Sequence, residues 1–228
     1  MYRTSILAIA STLFLLTSCK KDTSEDPIPN NQSLTWIKSF GGTNWDMFNA
    51  VVQIPSGENI IAGTSRSTDG DLPGTRVTYD PWITKVDNNG AKVWTIAFGD
   101  HSDEYVTAMT TTSDGGFIVV YYSGIPLLPI GGTTNYAWAV KVSAAGVKEW
   151  EKKITASTDA QPFSITSTTD GNYVVAGYAN NGTRQGWITK IDGSGNTIWE
   201  KFFGGSSEDI INSVSKTNDG GFILAGYS

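Results

Sequence analysis

The chain has 228 residues, 39% hydrophobic and 17% charged, with 25 glycines, which is the composition of a folded domain rich in turns and excludes a disordered chain. A formal net charge of −6 excludes a nucleic-acid partner, because phosphate backbones are held by clustered Lys and Arg that this chain lacks. The single cysteine rules out a disulfide within the chain, and the single histidine, His101, leaves little for Ser-His-Asp, Cys-His or zinc chemistry.

Residues 1–18 read as a signal peptide: Arg3, then an apolar run from Ile6 to Leu16, then small residues before Cys19. That run is shorter than the about twenty residues a bilayer-spanning helix needs. The stretch Leu16-Thr17-Ser18-Cys19 resembles the lipobox of bacterial lipoproteins, and the resemblance implies cleavage before Cys19 and lipidation of Cys19. Removing the leader with its Arg3 makes the mature charge about −7. Residues 19–33 are polar, carry Pro27 and Pro29 and show no periodicity, so they form a flexible tether from the lipidated Cys19. The opening Ser18-Cys19-Lys20-Lys21-Asp22 is similar to the start of many Bacteroidota lipoproteins. That similarity implies a lipid anchor in the bacterial outer membrane and extends to display at the cell surface.

From residue 34 to residue 228 the chain repeats itself. Twenty positions after Trp36, Trp94, Trp150 and Trp199 stand Ser56, Asp114, Asp170 and Asp219, and twelve positions before the last three stand Trp82, Trp138 and Trp187. Each repeat resolves into two hairpins. "INSVSKTNDGGFILAGYS" (211–228) is an alternating run, a glycine-rich turn and a β-rich run, and "WITKIDGSGNTIWEKFF" (187–203) alternates Trp187, Thr189 and Ile191 against Ile188, Lys190 and Asp192. No window has a helical period. The fold expected is all-β, a β-propeller of four-stranded antiparallel blades in a partial ring with about four repeats visible. Counting strands predicts a lone final strand at 34–40, three complete blades and an incomplete last blade at 210–228. The ring then either closes as four blades with one strand missing or is part of a six- to eight-bladed ring, and the second is favoured.

The runs "KVDNNGAKVW" (85–94) and "KIDGSGNTIW" (190–199) resemble a shortened form of the docking motif of quinoprotein-type propellers, and "FGGSSEDIINSVSKTNDGGFILAGYS" is similar to the repeats of secreted Bacteroidota propeller-like proteins. The quinoprotein resemblance implies that Trp94, Trp150 and Trp199 pack between neighbouring blades.

Antiparallel alternation places the uniform Asp-Gly turns at one end of the strands and the connections of variable length at the other, where binding residues commonly lie. The variable connections are 64–81, 122–137 and 178–186. They supply Arg66, Arg76, Tyr79, Tyr122, Tyr136 and Arg184, and Trp45 falls in a link at the same end, so these seven are the candidate ligand-binding residues. The apolar run "IPLLPI" (125–130) is a channel cover or a contact patch. Asp69 with Asp71, and Asp100 with Asp103 and Glu104, are weighed as calcium ligands and read as turns instead. Asp46, Glu104 and Asp209 recur ten residues after their tryptophans, with Ala160 in the third repeat, which points to a turn or capping role.

The sequence therefore names no catalytic residue, no metal site and no cofactor. Its reading is a lipid-anchored cell-envelope propeller that binds a glycan or another envelope protein, or serves as a scaffold, through variable loops on one face. The alternative is a carbohydrate-active or quinoprotein-like propeller enzyme whose active residues lie mainly outside this stretch.

Overall fold

A computed structural model of the chain describes residues 36–72, 78–99, 103–126, 133–155 and 157–228. The expectations for residues 1–33, Cys19 among them, and those for Arg76, Asp100, His101 and residues 127–130 fall outside the described residues. Phe40–Ser228 forms one unit.

Strands β1 (Asp46–Gln53), β2 (Asn59–Ser65), β3 (Asp80–Val86) and β4 (Lys92–Ala97) pair in sequence order into one antiparallel sheet. A second sheet follows with β5 (Asp103–Thr111), β6 (Phe117–Pro126), β7 (Thr133–Val142) and β8 (Lys148–Lys153). A third contains β9 (Ala160–Ser167), β10 (Tyr173–Asn180), β11 (Arg184–Ile191) and β12 (Thr197–Phe203), and the hairpin β13 (Ile210–Lys216) and β14 (Phe222–Tyr227) makes a two-stranded fourth. The protein is thus all-β, with separate four-stranded sheets that do not close into a barrel, and no helix occurs among the described residues. Of the lone strand expected at 34–40, the described residues 36–40 carry no strand. A strand exists through its ladder, and no Trp-x-x-Lys run precedes Trp36 for it to pair with.

The sheets pack face to face, which is why the middle strands are apolar on both sides. On β6, Phe117, Val119 and Tyr121 join Ile60, Ala62 and Ile83 of the first sheet, while Ile118 and Val120 join Val175, Trp187 and Ile191 of the third. On β10 the same alternation sends Val174 and Ala176 toward Ile211 and Val214 of the last hairpin. The first strands are neighbours of one another, β1 of β5, β5 of β9 and β9 of β13. Each fourth-strand tryptophan reaches over to the following sheet. Trp94 lies on Gly146 and stacks with Phe117, Trp150 covers Gly195 and donates its indole N–H to the Gly193 carbonyl at 3.0 Å, and Trp199 packs in the cluster with Ile211 and Val214.

The third-strand tryptophans tie each sheet internally. Trp82 donates to the Thr95 hydroxyl at 2.8 Å and Trp187 to the Glu200 carboxylate at 3.1 Å, from the residue after the anchor tryptophan in each case. The second sheet breaks this pattern for a legible reason. Where Gly63 and Gly177 face Trp82 and Trp187, Tyr121 faces Trp138; the Tyr121 hydroxyl donates to Glu151 at 2.6 Å and Trp138 turns to Ser123 at 3.0 Å.

The turns at the uniform end share one network. Thr112, Thr168 and Thr217 donate their hydroxyls to Asp114, Asp170 and Asp219, and Lys141 and Lys190 pair with the first two aspartates. The Lys141 ammonium and the Thr112 hydroxyl hold the Asp114 carboxyl down at about 2, against an ordinary value of 3.8. Asp170 is held well below the usual range by Lys190, and Asp219 is lowered by Thr217 and the Gly221 amide. A depressed carboxyl contributes stability above its unfolded value and loses it as pH falls through its folded value. The melting temperature is therefore expected to drop between about pH 4 and about pH 2, and replacing all three aspartates by Asn should flatten the profile in that window, as read by calorimetry across pH.

Candidate functional site

The site sits at the end of the strands opposite those turns. The connections there are shorter than the sequence suggests, because pairing continues past the expected strand ends. Tyr122 pairs with Ala137, Ser123 with Tyr136 and Pro126 with Thr133, and Asn180 pairs with Arg184. Tyr122, Tyr136 and Arg184 therefore stand on strands and not in loops, and Tyr122 is paired on both sides, with Tyr105 and with Ala137. Tyr79 immediately precedes β3, Arg66 immediately follows β2, and Trp45 precedes β1.

The links that lead into the first, second and last sheets are fixed by an acid at or beside the start of the first strand, Asp46, Glu104 and Asp209. Asp46 accepts the Gly42 amide at 2.7 Å and the hydroxyls of Ser65 and Ser67, and Asp209 accepts the Gly205 amide at 3.0 Å. Five residues before each acid lies a glycine with positive φ, Gly41 at 146°, Gly99 at 134° and Gly204 at 135°, against which the carboxylate packs with no room for a side chain. Where Ala160 replaces the acid, Thr155 replaces the glycine. The recurring acids are thus caps of the links. Asp69 accepts the amide and hydroxyl of Thr43, and Asp71 accepts the Gly41 amide and pairs with Lys92 at 2.7 Å, so both serve the first link. No group of three or more metal-ligating side chains occurs among the described residues.

Above this frame runs a row of aromatic rings. Trp45, 60% exposed, meets Tyr79 edge-on at 6.2 Å, Tyr79 stacks on Tyr105 at 5.4 Å, and Tyr105 stacks on Tyr122 at 5.2 Å. The Arg66 guanidinium lies 5.5 Å from the centre of the Tyr79 ring. The row ends in a cavity of about 560 Å³ formed by the ends of the second sheet, the third sheet and the last hairpin. Tyr105, Gln161 and Ile210, which are equivalent positions of the first strands, line it together with Tyr122, Tyr178 and Tyr227, which are equivalent positions of the second strands. Its polar rim is Asp103, Asn135, Arg184 and Glu208.

That rim is internally braced. Asn135 donates to Asp159 at 2.9 Å, and Arg184 pairs with Asp159 at 3.3 Å and with Glu208 at 3.1 Å while lying 4.8 Å from the Tyr178 ring centre. Burial raises the Tyr105 and Tyr122 hydroxyls and pushes Tyr178 up to about 12, further from a physiological pH at which a tyrosine is already a neutral phenol, able to donate and accept.

Of the seven candidate residues, five are drawn together: Tyr122 and Arg184 line the cavity, and Trp45, Arg66 and Tyr79 form the row leading to it. Tyr136 stands apart on β7 beneath the Lys153 ammonium, 4.0 Å from its ring centre. Sequence reasoning missed Tyr105, Tyr178 and Tyr227. The available signal was recurrence: Tyr122, Tyr178 and Tyr227 follow Tyr121, Gly177 and Gly226 at one place in three successive repeats.

No protein-family model and no curated protein matches the chain. Among solved structures, a protein of unknown function from Dyadobacter fermentans DSM 18053 is similar in fold, with a TM-score of 0.56 at 11% identity over 83% of this chain. The chain spans 65% of the length of that protein.

Proposed function

We propose that the chain is a lipid-anchored β-propeller of the bacterial outer membrane, displayed at the cell surface, that binds a ligand without transforming it. The observation that carries the binding reading is the cavity of about 560 Å³, which lies within the range of small-ligand sites and whose aromatic and polar walls stand on braced strands. The propeller assignment is supported by successive sheets packed face to face with their first strands as mutual neighbours, and by tryptophans bridging each pair of sheets. The anchor rests on the lipobox resemblance at Leu16-Thr17-Ser18-Cys19, and the envelope ligand, a glycan or a second envelope protein, follows from that address. The absence of catalysis rests on the roles of the acids, since Asp46 and Asp209 are spent on link amides.

Expression of the full chain in a Bacteroidota host tests the reading. The protein is expected in the outer-membrane fraction and accessible to protease on whole cells, and Cys19→Ser should release it. The purified lipoprotein should retain envelope polysaccharide or an envelope protein and leave it chemically unchanged. Turnover of the retained material, or a soluble wild-type chain, would overturn the assignment.

A further inference from the structure

Resting on the binding reading above, we infer that the cavity takes a neutral saccharide, with one pyranose ring stacked on Tyr122 and its hydroxyls held by Gln161, Asp103 and Glu208. The aromatic row supplies the first argument. Tyr105 has ring partners on both sides, Tyr79 and Tyr122, whereas Tyr122 ends the row with Tyr105 as its ring partner and lines the cavity itself. The face of a phenol ring is electronegative, and the axial C–H bonds of a pyranose present a flat surface of slight positive charge that matches it.

The polar lining supplies the second argument. A sugar hydroxyl both donates and accepts, so a site for several of them needs donors and acceptors side by side. The Gln161 amide offers both, the Asp103 and Glu208 carboxylates accept, and the Tyr105 and Tyr122 phenols, neutral at physiological pH as ordinary tyrosines are, do either. Charge excludes an anion, and ring geometry excludes a quaternary ammonium. Two lining carboxylates face one guanidinium, and Arg184 is already paired with Asp159 and Glu208, which is the wrong balance for a phosphate or a sulfate. A quaternary ammonium needs ring faces that converge on one point. Here Tyr105 and Tyr122 stack on each other with planes 27° apart, and the Tyr178 ring is already covered by Arg184.

The test is ligand-observed NMR and titration calorimetry on the detergent-solubilised full-length lipoprotein, with maltose, cellobiose, lactose and mannobiose as probes and choline and inorganic phosphate as rivals. At least one disaccharide is expected to bind, with saturation transferred to its ring protons. Tyr122→Ala should weaken that binding by about tenfold, and Tyr122→Phe, which keeps the ring face, by far less. Should Tyr122→Ala fail to fold by its melting curve, Gln161→Ala, at a partly exposed position, carries the same expectation of weakened binding. Binding of choline or phosphate in place of every disaccharide, binding of none of the four, or equal loss in Tyr122→Phe and Tyr122→Ala would overturn the inference. If no disaccharide binds while the lipoprotein still retains an envelope protein without turnover, the saccharide inference falls and the binding reading stands; if nothing is retained, both fall.

Discussion

Trp187→Ala is expected to lower folding stability by about 3–5 kcal/mol, the usual cost of truncating a buried tryptophan. The indole is fully buried, packs with Val175 and Ile191 on one side of its sheet and with Ile118, Val120 and Ala139 of the preceding one, and donates its N–H to Glu200. Removing it opens a cavity at a sheet-to-sheet interface and takes a donor from a carboxylate in one step. Because a domain's total stability is about 5–15 kcal/mol, a loss of this size consumes a large part of it. Guanidinium denaturation followed by circular dichroism measures the difference, and Trp199→Ala, at a partly exposed indole, gives the comparison and should cost less. A loss below about 1 kcal/mol for Trp187→Ala would contradict the packing described.

The second large effect comes from a glycine without an unusual φ. Gly177 on β10 lies where β9 shifts register, and a methyl group there would fall inside the van der Waals radius of the Gln161 carbonyl oxygen. Gly63 meets the Met47 carbonyl and Gly226 the Ile210 carbonyl in the same way. Backbone cannot step aside as a side-chain end can, so Gly177→Ala is expected to cost about 1–3 kcal/mol through forced separation of β9 and β10. Gly205→Ala is the control, since nothing lies within 4 Å of the added methyl, and it should change stability by less than about 0.5 kcal/mol. Gln161 also lines the cavity, so the same separation should loosen the site, and denaturation and binding measured together would register both.

Much of this was legible in the sequence because the repeat is a statement about geometry. The hairpin at 187–203 is found as β11 and β12 with Trp187 and Ile188 on opposite faces, since period-two alternation dictates which side chains share a face. The strand ends were not legible. Tyr122 and Arg184 belong to strands because cross-strand pairing runs on beyond the repeated frame, and pairing length is decided by two segments at once while a sequence is read one segment at a time. The site was half legible for a similar reason. Tyr79 and Tyr122 stood out in segments of variable length, and Tyr178 opens such a segment without standing out there, but Tyr105 sits inside the regular repeat, where it looks like an ordinary strand residue until neighbouring sheets bring these tyrosines to the same mouth. Nothing local in "DEYVTA" distinguishes a tyrosine that stacks between two others from one that faces solvent.

The tryptophan that leaves one sheet to cover a turn glycine of the next makes the first two interfaces clasps with the latch on one side only. The overlap has one sense: the Gly193–Gly195 turn is held by Trp150 from the sheet before it, and its own sheet reaches through Trp199 to the last hairpin. The contacts overlap in a single sense along the chain, as in a row of shingles where each piece lies over the edge of its neighbour. The cavity, shared by the second sheet, the third and the hairpin, bridges the last two of these interfaces from the opposite end of the strands, so whatever fills it joins the same three sheets a second time.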